Sequence, residues 1–441
     1  LKIGSGVIIT FLSGVLLSLS FPLVLFSWQL PDLSWFFWIA FLPFLFLVDD
    51  KPPRKIFWIA LLTGTVFTFT SLSWIYSALH VLGHYSWWAS FLCLGFVCGM
   101  ISLYIGFAFS IAKKISLETK IPFFLIFPLS WTYLEYLTHL WPLNGFPWIN
   151  LGYTQYQHLY FIQSVDIFGV YGLSFFIVLV NCLLFESLRF LFQRDQSRAI
   201  QYSLAVVLLI TLNLGYGFIR VAFTNHFLTK TETVKIAAIP GNVPQRQKWD
   251  PAQAGSIVEK YRKSSFEATS KGIDLLLWPE TAIPYLVAKD AAELPTHIVG
   301  FSVPLLTGAM TVDLRDRKLQ WNSALLVQGN KVTNRYDKHH LVPLGEYIPK
   351  EFPFIKSVLA NEHSMQRGQR HELFNIKGHP FGVQICFEDI FPPLARRWVN
   401  QGAKFIVNLS NDAWYAETSG VIQHSTHSIF RAIENRVSYL R

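Results

Sequence analysis

Three stretches of the chain end an apolar run on a group that can do chemistry. Leu275-Leu276-Leu277-Trp278-Pro279-Glu280 ends on a carboxylate, and Arg335-Tyr336-Asp337-Lys338-His339-His340 offers an ammonium. Phe381-Gly382-Val383-Gln384-Ile385-Cys386 delivers a thiol, with Phe387, Glu388 and Asp389 directly after it. A carboxylate, an ammonium and a thiol together suit acyl transfer through a thioester. The thiolate is the nucleophile, a nearby cation lowers its pKa, and a carboxylate takes the thiol proton. The same lysine, with a backbone N–H beside the cysteine, can hold the oxyanion of a tetrahedral intermediate. A Cys/His protease is the rival chemistry, with His339, His340, His363, His371, His424 and His427 at hand, but none of them stands in a papain-like or caspase-like context.

The elements that must position these groups read as strands and helices in alternation. Val234 to Ile239, Asp274 to Trp278, Leu305 to Met310, Ala324 to Gln328, Phe381 to Cys386 and Phe405 to Leu409 are short apolar or β-branched runs closed by Pro, Gly or polar residues. Ser256 to Lys271 has the spacing of an amphipathic helix. The pattern predicts an α/β layered fold around a buried sheet. Buried sheets present ligands at strand ends, where Glu280, Lys338 and Cys386 fall.

The residues before these elements are of another kind. The chain of 441 residues is 52% hydrophobic and only 15% charged, against roughly 25% charged in an average soluble protein. Residues 1 to 223 hold just 11 of the 37 Lys and Arg and 8 of the 28 Asp and Glu. Seven apolar segments, near 5 to 27, 33 to 48, 56 to 79, 87 to 112, 121 to 138, 165 to 188 and 200 to 222, approach the roughly 17 to 25 residues that cross a bilayer as helix. The chain thus divides into a membrane domain of about seven transmembrane helices, 1 to 223, and a polar domain, 224 to 441.

The basic residues orient these spans, because short cytoplasmic loops collect Lys and Arg. Lys2, the loop with Lys51, Arg54 and Lys55, the loop with Lys113, Lys114 and Lys120, and the loop with Arg189, Arg194 and Arg198 are expected in the cytoplasm. The loops 28 to 32, 80 to 86 and 139 to 164 carry no Lys or Arg. Seven spans from a cytoplasmic start place the polar domain on the far side. Arg220, near the outer end of the last span, is the exception and is expected to snorkel. The first segment reads as a retained signal anchor.

Cysteine usage fits this division. Cys93, Cys98 and Cys182 fall within spans as small packing residues. Cys386 is the only cysteine after residue 223 and has no disulfide partner there, which points to a reactive thiol in an oxidising compartment, with a buried core cysteine as the alternative. The net charge of +9 gives poor footing for nucleic-acid binding, because the cytoplasmic basic residues already follow from topology. No zinc-ligand spacing and no phosphate-cradling glycine loop is present, so neither a metal nor another cofactor is expected.

WPETAIP (Trp278 to Pro284), YDKHHLVPLGEYIP (Tyr336 to Pro349), ICFEDIFP (Ile385 to Pro392) and NLSNDAWY (Asn408 to Tyr415) resemble, in order, the motifs of the carbon–nitrogen hydrolase, or nitrilase, superfamily. With the membrane half, and with GNVPQRQKWD (Gly241 to Asp250), LGEYIP (Leu344 to Pro349) and NGFPWINLGYTQ (Asn144 to Gln155), the whole chain is similar to the apolipoprotein N-acyltransferase family. The resemblance implies an α-β-β-α sandwich for the exported domain, and Glu280, Lys338 and Cys386 as general base, oxyanion stabiliser and nucleophile. It further implies supporting roles for Glu346, Glu388, Asn322 and the Phe387 N–H, and places Trp249 and Trp414 near an acyl pocket. The implied reaction moves an acyl chain from a phospholipid of the phosphatidylethanolamine type to the cysteine, and then to the α-amine of diacylglyceryl-cysteine apolipoproteins. The implied setting is the bacterial inner membrane, with the catalytic domain facing the periplasm.

The loop 139 to 164 is rich in aromatic residues, among them Trp141, Phe146, Trp148 and Tyr153. Such residues favour the membrane interface, where Trp148 and its neighbours are expected to admit acyl chains or to anchor the helices. Two features depart from the family's pattern. Pro240 precedes Gly241 where a more polar residue is expected, and the chain stops at Phe430 to Arg441, short of the family's last strands and final span. Two rivals remain at this point: a membrane-tethered nitrilase or amidase in which water replaces the amine, and a transporter or receptor whose exported domain only binds ligand.

Overall fold

The computed structural model describes residues 3–25, 28–141, 144–245, 247–349, 364–415 and 417–441. Arg246, His363 and residues 142 and 143 of the aromatic loop lie outside the described residues. The chain forms two compact units. One comprises Leu1–His80, Ser86–Lys230 and Glu417–Glu434, the other Val81–Tyr85, Thr231–Ala416 and Asn435–Arg441. The boundary expected at 223 and 224 falls at 230 and 231, and residues 417–434, expected in the exported domain, group with the first unit instead.

The first unit is helical: Ile3–Leu19, Leu42–Val48, Pro53–Ser71, Trp74–Ser77, Trp87–Thr119, Phe123–Leu140, Val165–Phe192 and Gln196–Leu228, with a small hairpin of β1 (Val24–Leu25) and β2 (Trp28–Gln29). Helix falls on each of the seven expected segments. Among the described residues, Trp87–Thr119, Ile162–Phe192 and Gln196–Leu228 are long and apolar enough to cross a membrane, and the pair Pro53–Ser71 and Trp74–Leu82, bent by 47°, makes a fourth if taken as one span. The helices pack closely where side chains are smallest. A Cβ on Gly14 would meet the Thr63 carbonyl oxygen at 2.7 Å, the close backbone approach that small residues permit between membrane helices.

Polar groups inside this unit are paired. Arg220 does not snorkel free but bonds Asp166 at 3.1 Å, which also accepts from the Tyr216 hydroxyl. Glu135 Oε1 accepts from the Trp131 indole at 2.9 Å and from the Leu151 N–H at 2.7 Å, fastening helix Phe123–Leu140 to the aromatic loop.

The helix Ser419–Asn435 organises that loop. Gln423 accepts from the indole N–H of both Trp74 and Trp148, and His427 reaches the Trp148 carbonyl. The Arg431 guanidinium pairs with Glu434 at 2.9 Å and donates to the Tyr153 hydroxyl. Glu434 accepts the Val170 N–H, next to Gly169, whose φ of +67° interrupts the helical geometry there. A helix break inside a membrane unit needs such a partner for its freed backbone groups.

The second unit is built on two sheets. The larger has the order β3-β4-β6-β7-β8, with β5 also on β6: β3 Ile236–Ala238, β4 Leu275–Leu277, β5 Ile283–Ala288, β6 Phe301–Val312, β7 Gln320–Gly329 and β8 Lys331–Asp337. The smaller has the order β12-β11-β10-β9: β9 Phe374–Ile376, β10 His379–Ile385, β11 Phe405–Leu409 and β12 Ser438–Leu440. Side chains alternate faces along a strand, and here each face finds a separate core. Leu275, Leu277, Leu306, Leu326 and Tyr336 join Phe381, Val383, Ile385 and Val407 between the sheets. Leu276, Trp278, Leu305 and Leu325 pack outward on Ile257, Val258 and Tyr261 of helix Ala254–Thr269.

The helix Pro392–Asn400 covers the smaller sheet through Trp398. It fits because position 382 is glycine, where a Cβ would come within 2.5 Å of the indole. The layers are therefore helix, sheet, sheet, helix, as expected.

Candidate active site

Each candidate group follows a strand by one to three residues. β4 ends at Leu277 and Glu280 follows, β8 ends at Asp337 and Lys338 follows, and β10 ends at Ile385 and Cys386 follows. Lys338 is 1% exposed, and its Nζ lies 2.9 Å from Glu346 Oε1 and 3.5 Å from Glu280 Oε1. Asn322 on β7 donates from Nδ2 to the same two oxygens, at 2.7 Å for Glu280 and 2.9 Å for Glu346. The other Glu280 oxygen accepts the Asn411 N–H at 3.0 Å, and the other Glu346 oxygen accepts the Val342 N–H at 2.8 Å.

Cys386 closes the cluster. It is 6% exposed and has a φ of +52°, left-handed for a residue that has a Cβ. Holding it there costs about 1 kcal/mol or more, which the surroundings supply: Asn408 Nδ2 grips its carbonyl at 2.9 Å. Burial pushes the thiol well above its ordinary value, the Glu280 charge raises it further, and Lys338 draws it back. At rest it is a neutral thiol whose proton needs a base. Burial alone would lower Lys338, but the charges of Glu346 and Glu280 outweigh it and hold the ammonium above the ordinary lysine range.

Glu388 supports the bend from beneath. Its oxygens accept from the Tyr336 hydroxyl and from the N–H groups of His339, His340 and Ile385. Burial raises this carboxyl and those N–H groups with the Lys338 charge pull it part of the way back, leaving it at about 7. The main-chain N–H groups can only donate, so the geometry serves the carboxylate. Glu388→Gln turns an amide N–H toward these donors. It is expected to cost about 1–3 kcal/mol, as for a buried group left unsatisfied, and to slow Cys386 chemistry by loosening the bend. Thermal denaturation and Cys386 alkylation rates measure the two effects.

A family profile described as the apolipoprotein N-acyltransferase N-terminal domain matches residues 13–183, and one described as carbon-nitrogen hydrolase matches residues 235–438. An apolipoprotein N-acyltransferase of Geobacter metallireducens is 36% identical over 440 residues, 98% of this chain and 82% of the relative. The chain belongs to the apolipoprotein N-acyltransferase family. A family member from Pasteurella multocida is 27% identical over 414 residues, 90% of this chain and 77% of that one. Among solved structures, the nitrilase-superfamily protein Nit3 of Saccharomyces cerevisiae is similar at 17% identity and a TM-score of 0.34, covering 47% of this chain and 75% of its own.

In this apolipoprotein N-acyltransferase family member the remaining expected site residues are placed unequally. Phe387 follows the nucleophile at the bend, 4% exposed. Trp249 and Trp414, at 45% and 41% exposed, ride on the loops that also carry Lys248 and Asn411. Trp148 belongs to the membrane unit, is 1% exposed and donates its indole N–H to Gln423.

Several site residues escaped the sequence reading. Gln245 accepts from Asn411 Nδ2 at 3.0 Å and braces the loop that reaches Glu280. Arg441 pairs bidentately with Asp412 and bonds Asp389, which explains the second carboxylate after Cys386. Lys248 lies buried in the site itself. Its signal was a lone lysine in the GNVPQRQKWD motif, indistinguishable in sequence from a solvated one.

Proposed function

We propose that the chain transfers an acyl group from a phospholipid, through a Cys386 thioester, to the α-amine of diacylglyceryl-cysteine apolipoproteins. The observation that carries this reading is the convergence of a buried thiol, a buried carboxylate and a buried ammonium in a family member whose other unit is apolar and helical. Glu280 takes the Cys386 proton while Sγ attacks the donor's ester carbonyl. The oxyanion is held by the Lys338 ammonium and the Phe387 N–H. The ester C–O bond breaks, the glycerol oxygen takes the proton back from Glu280, and the acyl group stays on sulfur.

The second half-reaction repeats the first with new partners. The neutral amine attacks the thioester carbonyl, Glu280 takes one amine proton, the C–S bond breaks, and the sulfur regains that proton. One base and one oxyanion site serve both halves, a ping-pong scheme. The basic loops argue for a multi-pass protein of the bacterial inner membrane with the catalytic unit facing the periplasm. Phosphatidylethanolamine is the donor proposed, and Trp249 and Trp414 are proposed to contact its acyl chain.

The test is to incubate membranes containing the full-length protein with phosphatidylethanolamine labelled in its acyl chain. Label is expected on Cys386 and is expected to be released by neutral hydroxylamine. A folded protein that takes no label would overturn the proposal, and label released as free fatty acid despite an amine acceptor would favour hydrolysis.

A further inference from the structure

The loop 241–250, between β3 and helix Ala254–Thr269, brings a second lysine to the site. Lys248 is 6% exposed, and its Nζ donates to the main-chain oxygen of Glu280 at 2.9 Å. Buried ammonium groups normally reach water along their stems or meet a carboxylate. This one points inward and meets a neutral carbonyl, that of the residue assigned as the base. The peptide it grips is constrained on other sides as well. Thr281 has a φ of +47°, and Gly308 lies so close that a Cβ there would come within 2.4 Å of the Thr281 nitrogen.

The charges around Cys386 give this lysine a purpose. Lys338 already faces two carboxylates, Glu280 and Glu346. When Glu280 takes the thiol proton, its negative charge passes to the sulfur and then to the oxyanion, and the Lys338 ammonium has to serve that charge and Glu346 together. Lys248 brings a second ammonium, held on the Glu280 main chain. Its ionisation responds to the same groups: burial lowers it, and the charge of Glu280 and that of an ionised Cys386 draw it part of the way back, leaving it at about 8. By linkage, a cation that Cys386 stabilises must stabilise the Cys386 thiolate in return.

We propose that Lys248 is a positioning residue of the acyl-transfer site, fixing the Glu280 main chain and lending positive charge to the thiolate and oxyanion at Cys386. The proposal rests on Cys386 being the nucleophile read above. Removing the charge is expected to shift ionisation of the thiol upward by about one pH unit, the low end for a nearby charge.

The experiment follows alkylation of Cys386 by iodoacetamide in the full-length protein, read by mass spectrometry of its peptide across pH, with thermal denaturation as a check on folding. Lys248→Met removes both the hydrogen bond and the charge, whereas Lys248→Gln keeps a donor for the Glu280 oxygen and removes only the charge. Both are expected to displace the pH–rate profile upward by about one unit, roughly tenfold slower alkylation at a given pH, and Lys248→Arg is expected to restore it. A folded Lys248→Gln protein with an unmoved profile would overturn the proposal, as would Lys248→Arg displaced as far as Lys248→Met. Alkylation needs no phospholipid. A displaced profile in a protein that takes no acyl label would therefore uphold this role while sinking the acyl-transfer reading.

Discussion

Cys386→Ala is expected to reduce acyl transfer by more than about 10⁴-fold, since the covalent route loses its nucleophile, while thermal stability changes little. The side chain removed is small, and the bend survives because Asn408 holds the backbone carbonyl and Glu388 the Ile385 N–H, neither of which involves sulfur. Cys386→Ser is expected to fare almost as badly, because a hydroxyl yields its proton far less readily to Glu280 than a thiol does. Hydroxylamine-labile label, present on the parent and absent from both variants, is the readout. The same experiment separates this chemistry from that of a Cys/His protease. In a thiolate–imidazolium pair the cysteine is ionised well below neutrality, so its alkylation is already fast at pH 5 to 6. Here the charges acting most on the thiol are those of Glu280, Lys338, Asp412 and Glu346, with no histidine among them. Burial holds the thiol above its ordinary value of 9.0, so alkylation of the parent is expected to keep rising beyond pH 9. A plateau near pH 6 would contradict the carboxylate-base assignment.

What could be read from sequence follows from which physical signals sequence carries. β4, β10 and β11 were legible because strands buried on both faces are continuous apolar runs, and each matched its expected position to within a few residues. β5 and β8 were not. β5 leaves Tyr285 and Leu286 half-exposed, and β8 is the edge strand, with polar residues at Thr333, Asn334 and Arg335, so neither shows a clean period. β9 and β12 have three residues each, too few for any pattern.

The site divides along the same line. Glu280, Lys338 and Cys386 stood out as polar groups closing apolar runs, whereas burial of Lys248 depends on a loop fold that has no period. Helix Ser419–Asn435 marks a further limit. Its residues Gln423, His427 and Arg431 find partners at Trp148 and Tyr153, and no local pattern names a partner more than 250 residues away. In the aromatic loop the same ambiguity holds, since an indole that seeks an interface and one that fills a core look alike in sequence.

Lys338→Met is expected to be damaging in two separable ways. The ammonium lies against Glu280 and Glu346, with Lys338 and Glu280 buried and the Glu346 side chain 11% exposed. Breaking a buried pair by removing one partner costs about 3–5 kcal/mol. The two carboxylates, left sharing the Asn322 amide, would then repel each other until one takes a proton, so its folded-state pKa would lie above the unfolded value of about 4.3. An acid raised in this way favours the folded state at low pH, and the penalty grows as pH climbs through that window. The stability gap between variant and parent should therefore be small near pH 5 and wide near pH 8. In the parent, Lys338 itself contributes no such slope, because its own raised value keeps its contribution complete below its ordinary 10.5. Adding Glu346→Gln removes one of the repelling charges, and the double variant should recover much of the stability and lose most of the pH dependence. It should not recover acyl transfer, since the oxyanion still lacks its ammonium, a loss of about 10²–10³-fold in rate for one such donor. Denaturation midpoints at two pH values, set beside acyl-labelling rates, complete the cycle. If the double variant regained both stability and activity, Lys338 would be a structural counter-ion for Glu346 and the oxyanion role would pass to other groups.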